Sequence, residues 1–157
     1  MTEVRFYHLE RSTLDQALPA ILTQAYNKGM KALVKFNDQD QLAQANDTLW
    51  SFHPDSFLPH DIETTPNPAQ QPILLTMADE NKNDATLLVL INDTVSESLE
   101  EFELCCRIFD GQNETALKAS RQEWTSLKDT GHVLKYYQQT SAGKWEEKAF
   151  HQPDQPG

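Results

Sequence analysis

Apolar positions along the chain repeat with two spacings, one suited to strands and one to helices. Residues 4–9, Val4-Arg5-Phe6-Tyr7-His8-Leu9, read as a first strand, and Ser12-Thr13-Leu14-Asp15 sets a hydroxyl three residues before a carboxylate, a pattern that opens a helix. Leu14, Ala17, Leu18, Ile21, Leu22 and Ala25 then recur at helical spacing toward Gly29. Pro19 lacks the amide that a helix interior uses, so it predicts a kink or a later helix start. Residues 32–36 predict a second strand, and Asp38 with Gln41 caps a second helix whose Leu42, Ala45 and Leu49 share a face. Parallel neighbours need a crossover, and a helix is the usual one. The β-α-β-α opening therefore predicts a mostly parallel sheet with helices on its faces.

Residues 54–72 hold five prolines and predict a turn-rich stretch rather than a core helix. The runs at 73–76 and 86–91 are continuously apolar, as in strands buried on both faces, and a polar turn at 79–84 separates them. A further strand at 102–109, a turn at Asp110-Gly111, a helix over 114–130 closed by Gly131 and a strand at 133–137 complete the pattern. The expected fold is an α/β, Rossmann-like three-layer domain over residues 1–138. Residues 139–157 are expected to form a polar, flexible C-terminal tail, pinned only through Trp145.

With 157 residues, 38% hydrophobic and 24% charged, the chain has the size and balance of one ordinary globular domain. The formal charge of −11 repels phosphate, so DNA is expected to be met only indirectly. The N-terminus has no basic patch followed by an apolar run, and no apolar stretch approaches the roughly 20 residues that cross a bilayer. No membrane association and a cytoplasmic location are expected. Cys105 and Cys106 are neighbours in an apolar run, where a strand sends them to opposite faces and no disulfide joins them.

An α/β alternation invites a nucleotide, yet the glycines stand at 29, 111, 131, 143 and 157. None forms the Gly-rich cradle that brings backbone amides to a phosphate. The histidines show no close pairing, Cys-Cys lacks the gap of common zinc sites, and Ser56 lacks a nucleophile elbow. No cofactor, metal or catalytic residue is expected. A small-molecule or nucleotide-utilising enzyme on the same fold is the alternative, since catalytic groups converge from distant positions.

Two constellations carry chemistry. In residues 49–60, Leu49, Trp50, Phe52, Phe57, Pro59 and His60 gather aromatics at a helix end and its loop, which suits either packing beneath the loop or an interface. On the helix after Gly111, Lys118, Arg121, Thr125 and Lys128, together with Trp124 at the edge, fall on an arc of about 120°. This suits either a solvated face balanced by Glu114 and Glu123 or a site for an acidic peptide with an apolar anchor.

The opening Val4-x-Phe6-Tyr7-x-Leu9, the Leu49-Trp50 pair followed by Phe57-x-Pro59-His60, and the helix with Lys118, Arg121, Trp124 and Lys128 resemble, in matching order, the chi subunit family of bacterial DNA polymerase III. The resemblance implies a non-catalytic accessory subunit of the clamp-loader assembly. It would link that assembly to single-stranded-DNA-binding protein by gripping the protein's acidic, Phe-ending C-terminal tail. It further implies that Arg121 meets the terminal carboxylate, that Trp124 lines the pocket for the apolar end, and that Lys118 and Lys128 attract the tail's acids. Trp50, Phe57 and Pro59 would form the surface that docks the psi subunit or an alternative helicase partner. Gln122, Glu123 and Thr125 stand where more basic members carry Arg or Lys, and the helix is one residue shorter before Arg121, so weaker tail affinity is implied.

Overall fold

The two spacings resolve into one sheet with helices on both sides. The computed structural model describes residues 2–10, 12–51, 59–142 and 144–151. In chain order the elements are β1 (Glu3–Leu9), α1 (Leu14–Asn27), β2 (Ala32–Lys35), α2 (Gln39–Ser51), β3 (Asp61–Ile62), β4 (Ile73–Thr76) and β5 (Leu87–Ile91). There follow β6 (Leu104–Asp110), α3 (Glu114–Lys128), β7 (Val133–Gln139) and β8 (Trp145–His151).

The eight strands form one sheet in the order β3-β4-β2-β5-β6-β1-β7-β8. Every pairing is parallel except that of β7 with β8. Side-chain alternation along β1 sorts its residues between the two faces. Tyr7 and Leu9 join Leu18, Leu22, Leu42 and Leu49 of α1 and α2 in one core cluster. Val4 and Phe6 join Ala116, Leu117 and Trp124 of α3 in the other. The result is the three-layer α/β arrangement expected from the sequence. The central strands β2, β4 and β5 are buried along their whole length, as their unbroken apolar runs require.

Three details depart from the sequence expectations. Helix α1 starts at Leu14 and continues through Pro19, which is buried. Proline in the second turn forfeits only the bond to the Asp15 carbonyl, while its ring adds apolar surface to the core. Within the proline-rich stretch, Asp61–Ile62 pairs with β4, a strand too short to show any period. The polar stretch after residue 139 contains β8, because Trp145 packs edge-on against Tyr7 with ring centroids 5.1 Å apart and the backbone pairs with β7. A register shift between Tyr136 and Tyr137 interrupts its alternation, and hydrophilic Glu146, Glu147 and Lys148 mask the strand signal.

Candidate functional site

Helix α3 is placed by its ends and its buried stripe. The Asn113 side chain accepts a hydrogen bond from the Ala116 amide at 3.1 Å, satisfying an amide that the helix start leaves without an internal partner. Gly131, at φ +83°, follows the C-terminus in the left-handed conformation that favours glycine. Ala116 and Ser120 are buried, and Leu117, Trp124 and Leu127 are half-buried. Lys118, Arg121, Thr125 and Lys128 therefore face outward and are exposed.

Trp124 is both wall and anchor. Its ring meets Phe6 at 5.6 Å and Tyr136 at 6.1 Å between centroids, both edge-on, a geometry worth about 0.5–1.5 kcal/mol per pair beyond area burial. The preceding residue, Glu123, turns inward. It accepts from Arg107 Nε at 2.9 Å and from the same guanidinium's Nη2, while Arg107 Nη1 donates to the Asn92 carbonyl. Glu123 is thus the counter-ion of a buried arginine rather than a member of the outward face.

Beside this wall lies an open depression of about 420 Å³ lined by Arg121 and Thr125 of α3 and, from the strands, by His8, Tyr136 and Ala149. It runs into a shallower groove of about 640 Å³ past Lys118 and Gln122, and Arg121 and Thr125 border both. The fold accordingly brings Lys118, Arg121 and Trp124 to one surface. Lys128 borders neither depression; its carbonyl lies 3.0 Å from His151 Nε2, at the β8 edge.

The rest of the lining comes from strands. His8 Nδ1 lies 2.8 Å from the Tyr136 hydroxyl, and His8 Nε2 lies 3.5 Å from Glu10 Oε1. Burial holds His8 below the ordinary histidine value and the Arg121 cation adds to this, against opposing pulls from Glu10 and Asp110. Burial likewise raises the Tyr136 phenol. Chemically, the site offers a guanidinium next to an aromatic recess with an ammonium one turn away. That suits an apolar group adjoining a carboxylate. Helical spacing revealed the α3 residues but missed His8, Tyr136 and Ala149. Their only signal was a polar histidine on the core-facing side of β1.

The aromatic constellation lies elsewhere. Trp50, at the end of α2, is 55% exposed, its ring centroid 4.5 Å from that of His60, and Pro59 is half-buried. Phe57 lies outside the described residues. Leu49 packs into the α1–α2 cluster and Trp124 into the α3 cluster, so the two candidate surfaces belong to different layers.

A third depression, of about 470 Å³, sits at the carboxyl ends of β1 and β6 against the start of α1, where doubly wound folds receive ligands. Its lining includes Glu10, Asp15 and Asp110. Asp15 occupies the N-terminal turn of α1 and accepts from Gln44 Nε2 at 2.9 Å and Thr48 Oγ1 at 3.2 Å. A phosphate would meet these carboxylates at the helix end that otherwise attracts it. Among the described residues no group of three or more His, Cys, Asp or Glu is arranged to hold a metal ion, and no helix is long and apolar enough to cross a membrane.

The family model described as DNA polymerase III chi subunit, HolC, matches residues 1–135. A relative described as a probable DNA polymerase III subunit chi, from Rickettsia prowazekii (strain Madrid E), is 30% identical over 94 residues. The match covers 60% of this chain and 57% of that relative, so it spans less than two thirds of the relative's length.

Proposed function

The chain belongs to the DNA polymerase III chi subunit family, and from that premise we propose that it is a non-catalytic adaptor in DNA replication, linking the clamp-loader assembly to single-stranded-DNA-binding protein. Its α3 groove grips the acidic, Phe-ending C-terminal tail of that protein. The observation that carries this reading is the exposed Arg121 lining the same recess as Trp124 and Tyr136. Arg121 pairs with the terminal carboxylate, the recess takes the apolar last side chain, and Lys118 and Lys128 attract the acids upstream. A net charge of −11 keeps naked DNA away, so DNA is reached through the protein that coats it.

On the other layer, exposed Trp50 with Pro59 and Phe57 docks the psi subunit or an alternative helicase partner. Exposed aromatics of this kind anchor interfaces. The acid-lined crevice at the carboxyl ends of β1 and β6 weighs against the alternative of a nucleotide-utilising enzyme.

A thermal-shift survey tests the reading, because a ligand that prefers the folded state raises its melting temperature. A peptide copying the acidic tail, ending in Phe, is expected to stabilise the protein while ATP, NAD and short single-stranded DNA do not. Stabilisation by a nucleotide with no effect of the peptide would transfer the function to an enzyme class.

A further inference from the structure

We propose that His8 and Tyr136 couple occupation of the α3 groove by a chain-terminal carboxylate to the uptake of one proton from solvent, making His8 a specificity-determining residue of the site. The inference rests on the tail-binding reading above.

The imidazole is held in place. Its ring packs against Phe109 with centroids 5.1 Å apart, and a Cβ at Gly111 would collide with its Nε2 and Cδ2, so the ring fills space that only a glycine leaves. In this pose Nδ1 faces the Tyr136 hydroxyl at 2.8 Å and Nε2 faces Glu10 Oε1 at 3.5 Å.

A neutral imidazole carries one N–H and one bare nitrogen, and neither tautomer can both donate to Glu10 and leave the Tyr136 proton free. With the proton on Nε2, the Glu10 carboxylate is met by a donor. Nδ1 then takes the single Tyr136 proton, and the phenol presents only lone pairs to the groove. With the proton on Nδ1, the phenol proton is free to point outward, yet the bare Nε2 faces a carboxylate. The imidazolium alone donates to both Glu10 and the Tyr136 oxygen and leaves the phenol proton for a ligand oxygen.

The charges around the ring set when this happens. Glu10 follows it just past the end of β1, Asp110 ends β6, Arg121 of α3 lines the same depression, and Tyr136 faces it from β7. In the empty groove burial and the Arg121 cation keep the ring neutral near pH 7. A carboxylate paired with Arg121 offsets that cation and adds a negative charge above the Tyr136 hydroxyl. The proton then comes from the buffer to the imidazole, and the charge balance closes: one anion from the ligand, one cation formed on His8. An apolar chain end without a carboxylate gains none of this.

Calorimetric titration of the full chain with the acidic, Phe-ending peptide, in buffers of different ionisation enthalpy, reads the proton directly. Uptake of a measurable fraction of one proton at pH 7 is expected, with binding about three- to tenfold tighter at pH 6 than at pH 7.5, within the limit of tenfold per pH unit for one linked proton. His8→Asn should bind more weakly, with affinity and enthalpy no longer dependent on pH or buffer over this range, whereas Tyr136→Phe, which keeps the imidazole but removes the phenol donor, should bind more weakly with a smaller uptake. A peptide amidated at its C-terminus should lose the uptake with wild-type protein, a control that does not depend on how the variants fold. Wild-type binding with no proton uptake, or uptake unchanged by amidation, overturns the coupling and leaves the tail site intact. Absence of peptide binding under all conditions overturns the tail reading, and the coupling falls with it.

Discussion

Arg107 on β6 and Glu123 on α3 form a two-point ion pair, with the guanidinium side chain only 2% exposed and the carboxylate side chain 21% exposed. The pair ties the middle of α3 to the sheet one residue before Trp124, so the helix cannot slide without uncovering a buried cation. Removing one partner of such a pair strands the other charge, at a cost of about 3–5 kcal/mol when fully buried. With Glu123 at the boundary, Glu123→Ala is expected to cost about 2–4 kcal/mol by chemical denaturation. That corresponds to a melting temperature lower by roughly 4–16 °C for a chain of this size. Glu123→Gln should cost less, since it keeps an acceptor. A loss below about 1 kcal/mol for Glu123→Ala would mean that Arg107 finds other partners.

Adjacent residues at the end of α2 should respond in opposite ways. Leu49 is 2% exposed and Trp50 is 55% exposed. Leu49→Ala leaves a cavity in the α1–α2 cluster and should cost about 2–5 kcal/mol. Trp50→Ala should leave the denaturation midpoint almost unchanged while weakening capture of a clamp-loader or helicase partner and sparing the tail peptide. Melting curves paired with pull-downs separate the two effects. If Trp50→Ala destabilises the fold as much as Leu49→Ala, Trp50 belongs to the core and leaves the functional account.

The readable parts of the sequence were those governed by one local rule. The buried strands announced themselves by unbroken apolar runs, as in Leu87–Ile91, and α3 by its spacing, so the exposure of Lys118, Arg121, Thr125 and Lys128 followed from 100° per residue. Features that depend on tertiary pairing were not readable. Glu123 looks like a surface acid until Arg107, sixteen positions away, is brought beneath it by the β6–α3 connection. His8 and Tyr136 are 128 positions apart and become neighbours only because β1 lies between β6 and β7. Strand β8 escaped because Glu146, Glu147 and Lys148 face solvent and only Trp145 is drawn against Tyr7.

His8 also predicts a pH dependence of stability. Its value in the folded protein is below the ordinary 6.5, chiefly through burial, so the unfolded chain binds more protons as pH falls. The stability tied to the neutral ring is fully present above about pH 6.5 and is lost as pH falls toward the folded-state value. Below that value it levels off. The difference in unfolding free energy between wild type and His8→Asn should therefore shrink from pH 7.5 to pH 5 in urea titrations. A difference that stays constant over this range would show that the folded environment does not disfavour the protonated ring.

Arg121 is the residue on which the proposed function turns, and its exposure on α3 separates affinity from folding. A planar guanidinium gives two parallel hydrogen bonds to a carboxylate, and losing such a charge-assisted contact costs about 1.5–3 kcal/mol. Arg121→Ala should thus weaken tail-peptide binding by roughly ten- to hundredfold. Arg121→Lys keeps the charge without the fork and should fall between wild type and Arg121→Ala, whereas Arg121→Glu sets an acid against the terminal carboxylate and should be worst. The variants should melt within a few degrees of wild type, because Arg121 donates no side-chain hydrogen bond described within the fold. Its backbone carbonyl still accepts from Thr125 Oγ1 at 3.1 Å, whatever side chain stands there. Raising salt should weaken wild-type binding through screening, and amidating the peptide's last carboxylate should cost wild type far more than it costs Arg121→Ala, since in that variant the partner is already gone. Calorimetry on the four proteins with both peptides completes a double-mutant cycle. A coupling free energy near zero would mean that Arg121 and the chain terminus never meet, and the groove would then have to read the tail through its acids and apolar end alone.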